Sequence, residues 1–298
     1  MTKFTSFRFV SVCLGLLFLP VCTFAHQPVL FTDTELLVTN PELSQAFYAT
    51  LDGVPHVYHI NEAEPFVLYV NILVPDIAGQ KTDVVAEVYA GGATGTPLVV
   101  LGGTGDTWKK MWEPFGYDAY LTGAELRNEF ASGAYDIRVS SPTNTSKYVL
   151  AIGEKEQFGI GEIFQTLRVV PQLKRNFFGE SPLNFVRSPI GFLSVLFFLG
   201  VGVVFGLGYR LMLRRRARII LRTTDRESWV NRAQKHNIGL PDRFLRFGIA
   251  NALLWYALTT SWHPFLFIAS GFTFLEVFAG WCGFYALLGK RTCPIDER

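Results

Sequence analysis

Cysteine is scarce in this chain of 298 residues: there are four, and none lies between Cys22 and Cys282. That gap excludes a disulfide-stapled scaffold for the central region, which must hold together by core packing. Charge is thin as well. Only 17% of residues are charged against 49% hydrophobic, which excludes a disordered polyelectrolyte and suits a globular core combined with membrane spans. Catalytic signatures are also lacking: the sequence has no Gly-x-Ser-x-Gly elbow, no His-Glu-x-x-His and no phosphate-binding glycine loop. "GGATGTP" and "GGTGD" are glycine-rich, but they fall between strand-like runs and read as turns. No catalytic residue is assigned and no enzymatic activity is expected.

What is present begins with a leader. Residues 1–25 carry Lys3 and Arg8, an apolar run from Phe9 to Leu19, the breaker Pro20 and the small-residue ending Thr23-Phe24-Ala25. This is the anatomy of a secretory signal peptide, with an apolar run too short for a comfortable span. Lipid attachment at Cys22 is disfavoured by the bulky Val21 before it. Cleavage after Ala25 would make His26 the first residue of the finished protein.

Residues 26–157 read as an exported all-β sandwich. "FVLYVNILV", "DVVAEVYA", "PLVVL", "AYDIRVS" and "KYVLAIG" are short β-branched and aromatic runs separated by Gly, Pro, Asn and Asp clusters. The ending "ASGAYDIRVSSPTNTSKYVLAIGE" resembles the final hairpin of secreted β-sandwich modules of the prepeptidase C-terminal or carbohydrate-binding type. Two groups of residues in this region suggest chemistry. Trp108, Trp112, Phe115, Tyr117 and Tyr120 cluster in "DTWKKMWEPFGYDAY"; exposed on a loop, Trp108, Trp112 and Tyr117 would form a stacking platform for a sugar or protein, whereas buried they would plug one end of the sandwich. A free N-terminal His26 offers an amine and an imidazole to copper, with His56 or His59 as partner. Alternation along a strand turns those two opposite ways, so at most one joins His26; the competing reading is a frayed terminus with ordinary surface histidines, and no cofactor. Asp76, Asp83, Asp106, Asp118 and Asp136 lack calcium-ligand spacing and read as solvated loop acids.

Residues 158–188 form a juxtamembrane segment. Ile163, Leu167 and Val170 share a helical face before a break at Pro171. This suits an amphipathic piece lying on the outer leaflet, with Lys174 and Arg175 near headgroups and Phe177 and Phe178 dipping in, or equally a plain linker helix. Within residues 189–213, Ile190 to Tyr209 is an uncharged run of twenty residues, one transmembrane helix. "RRRAR" follows at Arg214–Arg218 and opens a basic linker, residues 214–242, read as cytoplasmic by the positive-inside rule. Lying against anionic lipid, the linker reads as a topology anchor and not as a nucleic-acid site. Gly202 and Gly206 permit close helix contact, including self-association.

Residues 243–294 return as a two-helix transmembrane hairpin, Phe244–Trp262 and Phe265–Leu288, with Trp262 and His263 at the outer interface. "NIGLPDRFLRFGIANALLWYAL" and "GWCGFYALLGKRTCP" resemble the YgaP-type inner-membrane transmembrane domain. Arg243, Arg246, Cys282, Tyr285, Leu287, Leu288, Gly289, Thr292 and Cys293 carry the likeness, and Gly283 departs from it where the family commonly has Pro. The resemblance implies a self-associating membrane hairpin and fixes no reaction. The thiol pair Cys282 and Cys293 reads as small packing residues or as a redox or metal-linked pair on the reducing side. Glu276, midway along the third span, is costly there unless functional or paired, and Asn251 or Thr273 is its expected partner. The expectation is therefore a multi-pass inner-membrane protein. Its sandwich outside the cytoplasm binds or senses an unknown periplasmic ligand; its partners are the bilayer and a second copy of itself. Copper handling and a small transport role of an oligomeric hairpin stand as alternatives.

Overall fold

The computed structural model describes residues 26–157, 159–223, 236–288 and 290–292. The leader with Cys13 and Cys22, residues 224–235 of the basic linker, and Gly289 and Cys293 lie outside them. The chain divides into two compact units that meet in sequence at Pro189 and Ile190.

The first unit is a sandwich of two sheets. The six-stranded sheet runs β1-β3-β11-β5-β9-β8 and the five-stranded sheet β2-β4-β10-β6-β7. In the first, β1 is Gln27–Leu30, β3 Gln45–Thr50, β5 Phe66–Pro75, β8 Lys109–Glu113, β9 Asp118–Phe130 and β11 Lys147–Ile152; in the second, β2 is Glu35–Val38, β4 His56–Glu62, β6 Val85–Ala90, β7 Val99–Gly102 and β10 Gly133–Ser140. Pairing is antiparallel except at two sheet edges, where β1 lies parallel to β3 and β2 to β4. The period-2 pattern explains the core. Tyr58 and Ile60, Leu68, Val70, Ile72 and Val74, Ile137 and Val139, and Tyr148, Leu150 and Ile152 alternate inward and are essentially inaccessible. Gly102 shows why a turn there needs glycine: its φ is +82°, and a Cβ would overlap the Val84 carbonyl.

The six-stranded sheet is apolar on its other face too, and the segment after β11 covers it. Helix α1, Ile160–Gln172, runs into a π-helical turn, Leu173–Phe177, and a 3-10 turn, Pro182–Arg187. Leu173, Phe177 and Phe178 pack on Ala46, Leu73, Tyr120, Val149 and Ala151. The helix passes through Pro171 and does not break there; the wide turn that follows accommodates the altered hydrogen bonding.

This corrects the leaflet reading of the juxtamembrane segment. Phe177 and Phe178 are buried against protein, and Lys174 is fully inaccessible. An amphipathic stripe has the same spacing whether it meets lipid or a sheet. Here the sheet face offered the apolar surface first.

The second unit is helical. α2, Pro189–Thr223, contains the one helix among the described residues long and apolar enough to cross a membrane, Pro189–Arg216 with mean hydropathy 2.5. α3 spans Leu240–Tyr256 and ends in a π-helical turn, Ala257–Ser261; α4 spans Pro264–Ala279 and α5 Gly283–Leu288. The expected third span to Leu288 is thus interrupted. Gly280 takes a left-handed φ of 58° and caps α4, its N–H reaching back to Val277. α4 alone, at 16 residues, measures about 24 Å.

Gly202 and Gly206 are used within the chain. A Cβ on Gly202 would overlap the Ile268 backbone, one on Gly206 the Leu275 and Phe272 side chains, and one on Gly271 the Leu199 carbonyl. α2 and α4 therefore cross with backbones in contact, flanked by Phe198 stacked on Phe267. Trp262 is buried against Phe267 instead of presented at an interface.

Candidate functional site

The three outer histidines have separate surroundings. His26 Nδ1 sits 2.6 Å from Ser44 Oγ and its ring stacks on Tyr69; burial pushes its pKa below the usual value, against a weaker opposing pull from Glu154. His56 and His59 face opposite ways from β4, as alternation requires. His56 is buried, with Nδ1 2.7 Å from Tyr148 Oη, which lies 2.9 Å from Tyr58 Oη. Burial lowers the His56 pKa and raises those of Tyr58 and Tyr148. His59 is on the outer face, 2.7 Å from Asp136 and 3.7 Å from Glu35. Among the described residues no three His, Cys, Asp or Glu side chains form a group able to hold a metal ion.

The aromatic stretch is split by the fold. Trp108 is half-buried against the core and donates its indole N–H to Gly103. Tyr120 is buried on the other face of the sheet, edge-on to Phe178. Trp112 is different: on the edge strand β8 it is 52% exposed, with Tyr117 edge-on at 4.6 Å between centroids. Tyr117 itself has a left-handed φ of 62°, a conformation costly for an aromatic residue unless its surroundings hold it.

Lys174 does the holding. Its Nζ donates to the Tyr117 carbonyl at 3.0 Å and to Asp118 Oδ1 at 2.5 Å, and lies over the Phe178 ring. Burial pushes the Asp118 carboxyl up to about 7, outweighing the attraction of Lys174. Glu113 is raised by burial as well, while accepting from the Phe115 and Gly116 amides. So a helix-borne lysine, inserted from α1's extension, fixes the backbone that carries the aromatic pair.

The solvated-loop reading of the acids holds for Asp76, which is exposed after β5, but not for Asp118 and Asp136, which stand on strands. Asp118 and Asp136 are buried; Asp76 pairs with Lys110, Asp83 accepts from Ser146, and Asp106 accepts from the amides of Gly102, Thr107 and Ala124. Lys174 was missed as a site residue by sequence reading. Its signal, a lysine within an apolar helical stripe, was visible but ascribed to headgroups.

In the helical unit the polar residues converge. Arg246 donates to Glu276 at 2.5 Å and to Asp242 at 3.1 Å, with its guanidinium 5.1 Å above the Tyr285 ring. Asp242 accepts from Thr292, whose Oγ1 also accepts the Gly239 amide. Asn237 closes the ring, donating to the Cys282 carbonyl and accepting the Cys282 amide. Glu276 is therefore partnered by Arg246, not by Asn251 or Thr273; Asn251 bonds the Phe247 carbonyl and Thr273 the Ala269 carbonyl. A charged partner compensates a buried carboxylate more strongly than an amide does. Cys282 is buried as a free thiol, and its pairing with Cys293 lies outside the described residues. The arrangement is a latch tying the start of α3 to the end of α4 and to α5.

Among curated proteins none matches the sequence. Solved structures similar to the chain include the pre-peptidase C-terminal domain of a collagenase from Bacillus anthracis, at 11% identity and TM-score 0.27, covering 41% of this chain and 96% of that one. A β-glucosidase from Paenibacillus barengoltzii is similar at 12% identity and TM-score 0.22, covering 45% of this chain and only 14% of the enzyme. The latch residues Asn237, Asp242, Arg246, Glu276, Cys282, Tyr285 and Thr292 all fall within residues 234–296, the segment that matches the family described as inner membrane protein YgaP-like, transmembrane domain.

Proposed function

We propose that this chain is a multi-pass inner-membrane protein whose β-sandwich, held outside the cytoplasm, binds a glycan or envelope protein at the Trp112–Tyr117 pair. The observation that carries the reading is the pair itself: Trp112 exposed on an edge strand, with the half-buried Tyr117 edge-on to it from a turn whose backbone is clamped by a fully buried lysine. Exposed, rigid aromatics give large contact area at little entropic cost. An anchor in the membrane would hold such a module at the surface where its ligand resides. The apolar helix of α2 followed by arginines supports the orientation by the positive-inside rule.

The test is a screen of the full chain in lipid nanodiscs against envelope glycans and extracted envelope proteins, repeated with Trp112→Ala and with Trp108→Phe. Retention of a ligand by the parent and Trp108→Phe, with loss in Trp112→Ala, is the expected result. Ligand retention unaffected by Trp112→Ala would remove the pair from the function.

A further inference from the structure

Arg210 and Arg214 stand one helical turn apart on α2, just past its uncharged stretch, so they share a face. Leu213 beside them is buried with Trp281 and Ala286. The Arg210 guanidinium lies over the Trp281 indole, 5.2 Å from the ring centroid. This face therefore turns toward the segment around Trp281. The Nε atoms of both arginines are shielded from solvent and have no hydrogen-bond partner among the described residues. Neither arginine joins an ion pair there, because Asp242 and Glu276 are both engaged by Arg246.

The contrast with Arg246 gives the point its force. Arg246 has two carboxylates; Arg210 and Arg214, side by side and partly withdrawn from water, have none among the described residues. A shielded guanidinium N–H without an acceptor is unfavourable. An anion presenting several oxygens, reaching the site from the membrane edge or the adjoining solution, would satisfy both and offset their charge. The planar fork of arginine matches phosphate in a bidentate fashion, and stacking on Trp281 holds one fork in place. Paired basic side chains just past an uncharged stretch of membrane-spanning length suit phosphate headgroups.

We propose that Arg210 and Arg214, oriented by Trp281, form a binding site for a phosphate-bearing anion, supplied either by an anionic phospholipid headgroup or by free phosphate. The site is independent of the sandwich and of its ligand.

The experiment uses the full chain in nanodiscs of phosphatidylcholine doped with phosphatidylglycerol, and counts by native mass spectrometry the phospholipid kept on release. A parallel arm titrates inorganic phosphate calorimetrically into the protein in phosphatidylcholine alone. R210Q/R214Q is compared with R215Q/R216Q, which removes the same charge from exposed neighbours. The expected result is one phosphatidylglycerol per chain, weakened at least about tenfold in R210Q/R214Q and little changed in R215Q/R216Q. Binding of inorganic phosphate with the same arginine dependence, without lipid retention, assigns the site to free phosphate. If R210Q/R214Q does not fold, R210K/R214K decides: it keeps the charge and loses the fork, and binding should weaken several-fold. Equal losses in the two glutamine variants, wild-type binding by the lysine variant, or no binding of either ligand by the parent overturns the proposal.

Discussion

Among the described residues each unit contains a buried ion pair, Lys174–Asp118 in the first and Arg246–Glu276 in the second, and the two do different work. Lys174–Asp118 lies beneath a surface: it draws the α1 extension onto the six-stranded sheet and sets the backbone that displays Trp112 and Tyr117. Arg246–Glu276 lies inside a helical bundle and joins α3 to α4. In the first, burial dominates and lifts Asp118. In the second, Asp242 and Tyr285 add further contacts to the arginine. The lesson is that a buried pair secures position more than stability. Replacing both members by apolar groups is often harmless, while removing one leaves an uncompensated charge.

The largest expected effect breaks the helical pair. Arg246→Ala strands Glu276 in an apolar bundle and should cost about 3–5 kcal/mol, read as loss of folded protein in detergent or a large drop in melting temperature. Adding Glu276→Leu should recover most of that loss. If the double variant is no better than the single one, Arg246 acts through Asp242 and Tyr285 instead.

The sandwich pair is next. Lys174→Met should destabilise the first unit by about 2–3 kcal/mol, less than at Arg246, since Asp118 can take up a proton when its partner is gone. Hydrogen exchange should show the Leu173–Phe178 turn and the Glu113–Asp118 loop opening together. Opening confined to one of them would mean that Lys174 does not couple the two.

A pH series sharpens the comparison further. Asp118 in the folded unit holds its proton up to about 7, well above the unfolded carboxylate. The folded state thus binds that proton more tightly, and the contribution is complete below the ordinary carboxylate range and lost as pH rises through about 7. Denaturant melts should show the first unit weakening from mildly acidic to mildly alkaline pH by up to about 2–3 kcal/mol, a slope that Asp118→Asn flattens. His56 acts in the opposite sense: burial lowers its pKa, so its contribution is present above the unfolded histidine value and lost as pH falls.

How far the sequence disclosed this depends on whether a residue's partner is local. The sandwich was legible because β-branched runs, alternation and turns are short-range; in β10 Tyr135, Ile137 and Val139 alternate with Asp136, Arg138 and Ser140 in plain sight. The α2 span was legible because an uncharged run of that length has few other uses. The second apolar face of the six-stranded sheet was not, since Ala46, Leu73 and Val149 belong to strands distant in sequence and only the fold aligns them beneath Phe177. Glu276 was recognised as anomalous, but its partner stands thirty residues earlier on another helix. Gly280 was hidden because a glycine in an apolar run looks the same whether helical or left-handed. Lys174 was misread because headgroups and a buried carboxylate both attract a lysine.

The smallest effect on stability separates the exposed aromatics of the two units. In the helical unit Phe244 is 73% and Phe278 75% exposed, within the segment that matches a transmembrane-domain family. Trp112 belongs to a sandwich in which Tyr58, Tyr120 and Tyr148 are buried and Trp108 is half-buried against the core. Nothing in core packing requires it. Trp112→Ala should therefore cost no more than about 1 kcal/mol, the worth of its edge-on contact with Tyr117, and leave the pH slope of the first unit intact. A drop as large as that from Lys174→Met would make Trp112 part of the clamp, and its exposure would no longer speak for a ligand. A small drop leaves exposure without a structural cause, which is what a binding surface at this edge requires.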